Sequence, residues 1–231
     1  MKSSIIEMSG TPRDIKKITE LGDLCQQRED YEFEAVLSLP RSNWDRADFS
    51  RALSMCRTMS CEHGQWKCIR EKDKTLDIGI GEFRVTIYGK YYIELYMQNG
   101  ESLDGIPAEC YEVMKKKRVD SLTTYGRRFN LNEEKKIDAN GPEFALAKVE
   151  WRALQKAFRL KNRYSYLVRD RYSVDLTVVK AWKNQNTIIM ARTLAESNTL
   201  RAKETYEAEV EYVPNVQVSS HIGPFNIEIF M

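Results

Sequence analysis

The sequence has no long apolar run, little cysteine and almost no net charge, and each absence excludes a class of protein. No apolar stretch approaches the roughly 20 residues that a transmembrane helix needs. The opening stretch MKSSIIEMSGTPRD lacks the apolar core of a secretory signal. Five cysteines in 231 residues are an odd number and too sparse for a disulfide framework. We therefore expect an intracellular protein with reduced thiols and no membrane segment.

The charges are nearly balanced, with 36 Lys and Arg residues against 34 Asp and Glu residues. A net charge of +2 gives no general attraction to nucleic acid or to an anionic membrane. Any electrostatic specialisation must therefore come from where the charges lie along the chain. The length suits one domain with a substantial core. We expect residues 1–231 to form a single domain, with a leader and a helix over 1–29.

The spacing of apolar residues predicts an α+β protein that is mainly β. Helical spacing predicts three helices, over 11–29, 46–61 and 142–157. Most of the remaining chain alternates between polar and apolar residues, with the period of a strand. The predicted strands cover 31–39, 82–98, 111–119, 127–134, 158–169, 171–180, 186–193 and 205–213. About eight strands with turn-like separators suit a closed antiparallel eight-stranded β-barrel with helices packed outside, because closure removes the sheet edges.

Two of the predicted strands carry acidic side chains on one face. Side chains alternate across a strand, so Glu32 and Glu34 share a face in YEFEAVL. The segment YEAEVEY repeats the arrangement with Glu207, Glu209 and Glu211. For either segment alone, the simpler interpretation is a solvated charged face above a buried apolar face, as in most antiparallel strands.

Other predicted strands carry basic or mixed polar faces. The segment RLKNRYSYLV places three cations on one face, namely Arg159, Lys161 and Arg163. The next strand groups Arg171, Ser173, Asp175 and Thr177. Two further candidate faces contain Glu82, Arg84 and Thr86, and Arg128, Asn130, Asn132 and Glu134.

Like charges are costly when they are enclosed. Two of them about 4 Å apart repel by about 4 kcal/mol at an effective dielectric constant near 20. If the barrel turns these faces inward, the acids need a divalent cation and the bases need an anion. Mg²⁺ takes carboxylate oxygens and keeps positions open for substrate phosphates. The alternating charges therefore point to a metal-bound polyphosphate inside the barrel.

These motifs resemble the RNA triphosphatases of the triphosphate tunnel metalloenzyme family, the type found in fungi, protozoa and large DNA viruses. The family opens with a strand bearing two alternating glutamates, has a basic R-x-K-x-R-type strand, and closes with three alternating glutamates. The matches run in this order from residue 31 to residue 212. Weaker matches are Arg84, the basic cluster 115–118, Arg128 with Glu134, and the segment 175–177.

The sequence departs from the family pattern at two positions. The family has an arginine two residues before the aspartate of its last basic segment, where this sequence has Ser173. Arg171 lies on the same predicted face and is the candidate substitute. Relatives that act on inorganic triphosphate or thiamine triphosphate have E-x-E-x-K in the first strand, whereas Val36 occupies the lysine position here. This difference favours the RNA-processing branch.

The resemblance implies removal of the γ-phosphate from 5′-triphosphate RNA to leave a 5′-diphosphate end, the first step of mRNA cap formation. It implies hydrolysis of NTPs as well. The implied ligands of Mg²⁺ or Mn²⁺ are Glu32, Glu34, Glu207, Glu209 and Glu211. The implied phosphate-binding residues are Arg84, Lys117, Arg128, Arg159, Lys161, Arg163 and Arg171. The implied catalytic residues are Glu134, which orients the attacking water, with Arg84, Lys161 and Arg163, supported by Asp175 and Thr177.

Other functions stay open at this point. A tunnel enzyme acting on inorganic polyphosphate or nucleoside triphosphates would share these residues. A noncatalytic barrel that binds RNA or a protein would carry the same charges on an exposed surface. An mRNA guanylyltransferase as partner and a homodimer are left open. The expected location is the nucleus for a cellular protein, and the host cytoplasm or the virion for a viral one.

Overall fold

The computed structural model describes residues 11–37, 44–124, 126–185 and 187–213. The helices are α1 Pro12–Gln27, α2 Arg46–Glu62, α3 Lys90–Gln98 and α4 Pro142–Val149. The strands are β1 Tyr31–Leu37, β2 Trp66–Ile80, β3 Phe83–Tyr88, β4 Tyr111–Thr124, β5 Arg127–Ile137, β6 Ala157–Val168, β7 Tyr172–Lys180, β8 Lys183–Asn184, β9 Thr187–Ile188 and β10 Glu204–Tyr212. The predicted leader, 1–10, and the end of the first predicted strand, 38–39, lie outside the described residues.

Eight strands close into an antiparallel barrel in the order β1-β10-β7-β6-β2-β3-β4-β5. This confirms the predicted fold class. The strands β8 and β9 form a separate two-stranded sheet. Closure brings the first barrel strand beside the last, with Glu34 opposite Glu211. The two acidic segments of the sequence are therefore neighbours.

The apolar faces of the strands form the outer wall, beneath the helices. Ile18 and Leu21 of α1 pack on a cluster that includes Phe33 and Phe129. Phe49 and Leu53 of α2 belong to a second cluster, and a third lies beneath α3 and α4. Because side chains alternate across each strand, the polar residues between these apolar ones face the interior. None of the described helices is long and apolar enough to cross a membrane.

Capping residues explain where the two long helices begin. The Thr11 hydroxyl accepts a hydrogen bond from the backbone N–H of Asp14 over 3.2 Å, and Pro12 occupies the first turn of α1. At α2, the Asp45 carboxylate accepts from the backbone N–H of Asp48 over 2.8 Å. Asp48 accepts in return from the N–H of Asp45, which completes a capping box.

The prediction of one strand over 82–98 is wrong in its second half. Gly89, at a φ of 82°, ends β3, and the chain turns into α3. The buried residues of that segment, Ile93 and Tyr96, are three apart, which is a helical spacing. The third predicted helix is also too long, because α4 ends at Val149 and β6 begins at Ala157.

One barrel strand, β2, was not predicted, and the predicted strand 186–193 does not belong to the barrel. The first half of β2 is polar and exposed, and its pairing with β6 is irregular between Cys68 and Asp73. Only its second half alternates, with Leu76, Ile78 and Ile80 buried. The number of strands was therefore right, although one member of the set was wrong.

Candidate functional site

The barrel encloses a polar cavity of about 690 Å³. Its walls come from seven barrel strands and from the β8–β9 sheet. The predicted site residues that line it are Glu32, Glu34, Arg84, Arg128, Glu134, Arg159, Lys161, Arg163, Glu207, Glu209 and Glu211. Acidic and basic side chains from distant parts of the sequence therefore meet in one enclosed space.

Four predicted site residues do not appear among the described residues that line the cavity. Lys117 is exposed and lies on the opposite face of β4 from Lys116, which does line it. Arg171 lies in the turn before β7, so the position next to Asp175 is held by Ser173, whose hydroxyl donates to that carboxylate over 2.8 Å. Asp175 and Thr177 are buried on β7, the strand between the basic strand β6 and the acidic strand β10.

The glutamates of β1 and β10 form an acidic wall. In the strand register Glu34 lies opposite Glu211, and Val36 lies opposite Glu209. Burial, together with the charges of Glu34 and Glu207, raises the pKa of Glu209 to about 7. Burial, together with the charges of Glu32 and Asp175, raises the pKa of Glu211 to about 8. The wall therefore holds more negative charge than its surroundings neutralise, which is a condition for cation binding.

Lys116 extends from β4 into this acidic wall. Its amino group contacts Glu32, lies 2.9 Å from Glu134 Oε1 and lies 3.6 Å from Glu34 Oε2. Burial alone lowers the pKa of Lys116, but the three carboxylates outweigh it and raise the pKa above its ordinary value. Lys116 is therefore an internal counter-ion for part of the acidic wall.

The basic residues of β6 form a second wall, and each of the three is paired with an acid. Arg159 Nη2 lies 2.8 Å and 2.7 Å from the two carboxylate oxygens of Glu207. Arg163 Nη1 lies 3.1 Å from Asp175 Oδ2, and Lys161 contacts Asp77. These pairs fix the direction of the cationic side chains before any anion arrives.

Arg84 of β3 connects the two walls. Its Nη2 lies 3.3 Å from Glu134 Oε1 and 3.1 Å from Met114 Sδ. Burial opposes its charge, but the charges of Asp77 and Glu134 raise the pKa of Arg84 above its ordinary value. The arginine therefore stays charged in the wall of the cavity.

Sequence reasoning missed Asp77, and within the basic cluster 115–118 it chose Lys117 as the phosphate-binding residue, whereas Lys116 and Arg118 line the cavity. Asp77 lies on the unpredicted strand β2, although the alternation in TLDIGI marks that half of the strand. Lys116 and Arg118 alternate with Lys117 within one basic run, so their face depends on the register of β4. Only the pairing with β5 determines which of these cations points inward.

The donor set of the acidic wall fits a hard divalent cation. Carboxylate oxygens are the ligands that Mg²⁺ and Mn²⁺ favour. Among the described residues, no group of three or more carboxylate, histidine or cysteine side chains is already arranged to hold a metal ion. Three of the acids converge instead on the Lys116 amino group, which occupies the place of a cation among them.

Comparison with known proteins finds relatives by structure only. No protein-family model and no curated protein sequence matches the chain. The RNA triphosphatase domain of the trifunctional mimivirus mRNA capping enzyme superposes with a TM-score of 0.65, at 14% sequence identity over 96% of this chain and 94% of that one. The chain has the fold of a viral RNA triphosphatase domain.

Two further structures support the same triphosphatase fold. A triclinic structure of the mimivirus capping enzyme triphosphatase gives a TM-score of 0.65 at 13% identity, covering 95% of this chain and 93% of that one. A monoclinic structure gives 0.66 at 14% identity, covering 96% and 94%. At this level of identity the likeness concerns the triphosphatase fold, and the role of each tunnel residue must be argued from its own geometry.

Proposed function

We propose that the chain is a metal-dependent RNA 5′-triphosphatase. It hydrolyses the γ-phosphate of 5′-triphosphate RNA and leaves a 5′-diphosphate end, as the first step of mRNA cap formation. The observation that carries the proposal is that an acidic wall and a basic wall line one cavity. A noncatalytic binding barrel would have no need to enclose partly buried glutamates whose charges repel each other.

The acidic wall would hold Mg²⁺ or Mn²⁺. The ligands in this proposal are Glu32 and Glu34 from β1 and Glu207, Glu209 and Glu211 from β10. A bound divalent ion neutralises negative charge on a phosphoryl group and positions it. In the free protein Lys116 balances part of this wall, so it must give up contacts with Glu32 and Glu34 when a metal ion binds.

The basic wall would bind the triphosphate. Arg84, Arg128, Arg159, Lys161 and Arg163 all face the cavity. Phosphoryl transfer depends mainly on positioning and on charges that are preorganised around the transferred group. The acid partners of Arg84 and of the three β6 cations keep those side chains in place, so little reorganisation is needed when the substrate enters.

Glu134 is the candidate that orients the attacking water. It lies between Arg84 and Lys116, at 3.3 Å and 2.9 Å from their nitrogen atoms. The water oxygen bonds to the γ-phosphorus, the bond from that phosphorus to the β–γ bridging oxygen breaks, and the diphosphate end leaves. Glu134 accepts a hydrogen bond from the water and holds its proton as the new P–O bond forms.

The test is phosphate release from γ-labelled 5′-triphosphate RNA, with Mg²⁺, with Mn²⁺ and with a chelator. We expect metal-dependent release that stops at the diphosphate end. Parallel reactions with ATP and inorganic triphosphate measure the preference for RNA. No release from a folded sample with either metal would leave a binding barrel as the better explanation.

A further inference from the structure

Behind the glutamates of β1 lies a layer of two buried amides. Asn130 and Asn132 of β5 are 0% and 1% exposed, and they lie opposite Glu34 and Glu32 in the register. Asn130 Nδ2 donates to Glu34 Oε1 over 2.8 Å, and Asn132 Nδ2 donates to Glu32 Oε2 over 2.9 Å. One oxygen of each glutamate is therefore fixed by a neutral, buried donor.

Arg118 of β4 sets the direction of both amides. Its Nε donates to Asn132 Oδ1 over 2.7 Å, and its Nη1 donates to Asn130 Oδ1 over 2.6 Å. A guanidinium group has donors only, so the oxygen of each amide must face the arginine. The NH₂ groups must then face Glu32 and Glu34. One side chain thereby controls two carboxylates.

We propose that Arg118 is a positioning residue that orients the β1 glutamates for metal binding through Asn130 and Asn132. The inference rests on the metal-dependent function proposed above. With Oε1 held by Asn130, the second oxygen of Glu34 lies 3.6 Å from the Lys116 amino group, the cation that a metal ion would replace. Hydrogen-bond partners behind metal ligands commonly contribute about 10-fold to 100-fold to metal affinity.

Arg118 contributes both a positive charge and two hydrogen bonds that orient the amides. The loss of the charge and the loss of the orientation have opposite effects on metal affinity. The residue is a cation beside an acidic wall, so removing its charge alone makes the wall more negative and tightens the binding of a divalent ion. Removing the orientation frees both amides to turn their oxygens towards the glutamates, which weakens that binding. The sign of the change in metal affinity therefore separates the two roles.

The experiment titrates Mn²⁺ alone into the full chain by isothermal titration calorimetry. Arg118→Gln is compared with wild type, with Arg118→Lys and with Arg51→Gln. Arg51 is a matched control because it is an arginine of α2, outside the barrel, whose side chain is 74% exposed. We expect Arg118→Gln to weaken Mn²⁺ binding on the order of tenfold, while Arg51→Gln leaves it unchanged. Arg118→Lys should stay weak, because an ammonium group does not present a planar two-donor fork.

Several outcomes would overturn the proposal. If the Mn²⁺ affinity of Arg118→Gln equals or exceeds that of wild type, Arg118 acts through its charge alone. Wild-type Mn²⁺ affinity in Arg118→Lys would lead to the same conclusion. If Arg118→Gln does not fold, the Mn²⁺ affinity of Arg118→Lys is the test. Weak binding supports the positioning role, and wild-type binding overturns it. A wild type that binds no Mn²⁺ overturns the positioning role. A wild type that binds Mn²⁺ but releases no phosphate from RNA overturns only the proposed function.

Discussion

At the scale of single residues, two partly buried glutamates of β10 have strongly raised pKa values. Glu209 and Glu211 face the cavity from the last barrel strand, whereas Glu204 at the start of that strand is exposed. Their high pKa values come first from burial, and then from the negative charges of neighbouring acids. The charged form of each glutamate is therefore unfavourable in the free protein, and a bound cation stabilises it.

We predict that Glu209→Gln abolishes phosphate release without unfolding the barrel. The amide keeps the shape of the side chain but removes a charge that would hold the metal ion, so turnover should fall by at least about 100-fold. The melting temperature should stay the same or rise, because a buried like charge is lost. Glu204→Gln, on the same strand, is the control. Normal turnover in Glu209→Gln would show that Glu209 is not needed to hold the metal ion.

We predict that the metal-free protein loses stability as the pH rises from about 5 to 8. The pKa values of Glu209 and Glu211 in the folded protein are about 7 and 8, against an ordinary value of 4.5. The folded state therefore binds more protons than the unfolded state in this range, so the free energy of unfolding falls with pH. Thermal melts in chelator measure the slope. Glu209→Gln should flatten it, and a slope of the opposite sign would contradict the prediction.

At the scale of elements, the alternation of β4 decides which of two adjacent lysines belongs to the site. Lys116 lines the cavity and Lys117 is exposed, because successive side chains of a strand point to opposite faces. The sequence predicted the acidic and basic strands because each carries charges of one sign at every second position. It could not predict which cations of β4 point inward, because four consecutive basic residues show no alternation of residue type.

We predict that Lys116→Gln destabilises the metal-free protein by about 2 kcal/mol, because buried carboxylates lose their counter-ion. Lys117→Gln removes the same charge from the outer face and should change stability by less than about 0.5 kcal/mol. Urea denaturation in chelator measures both. Added Mn²⁺ should stabilise Lys116→Gln more than wild type, because no internal cation competes with it. Equal stability of the two variants would mean that Lys116 does not neutralise the acidic wall.

At the scale of the whole molecule, the fold was predictable because three features favour the same closed barrel. They are the number of strands, the alternation of polar and apolar side chains, and the like charges on single strand faces. Apolar faces pack outward under helices and charged faces turn inward, which is the reverse of a solvated sheet. The position of α3 and the identity of β2 were not predictable. A glycine changes the direction of the chain after β3, and half of β2 takes its conformation from pairing with β6.

We predict that Phe33→Ala destabilises the whole barrel by about 3–5 kcal/mol. Phe33 is fully buried on the outer face of β1 and stacks on Phe129, with ring centroids 6.3 Å apart. Its loss loosens the strand that carries Glu32 and Glu34, so Mn²⁺ affinity should fall together with stability. Tyr91→Ala, at a side chain that is 68% exposed, is the control. A large loss of stability with unchanged Mn²⁺ affinity would show that the packing of Phe33 does not control the position of the β1 glutamates.

The pairing of β1 with β10 has a consequence for synthesis. Five glutamates of the cavity come from the first and last barrel strands, while its arginines and lysines lie between these strands in the sequence. A nascent chain that has not yet emerged from the ribosome beyond Glu204 already carries every arginine and lysine of the cavity, but it lacks three of its glutamates. Under the proposed function, hydrolysis therefore requires that the last strand has docked.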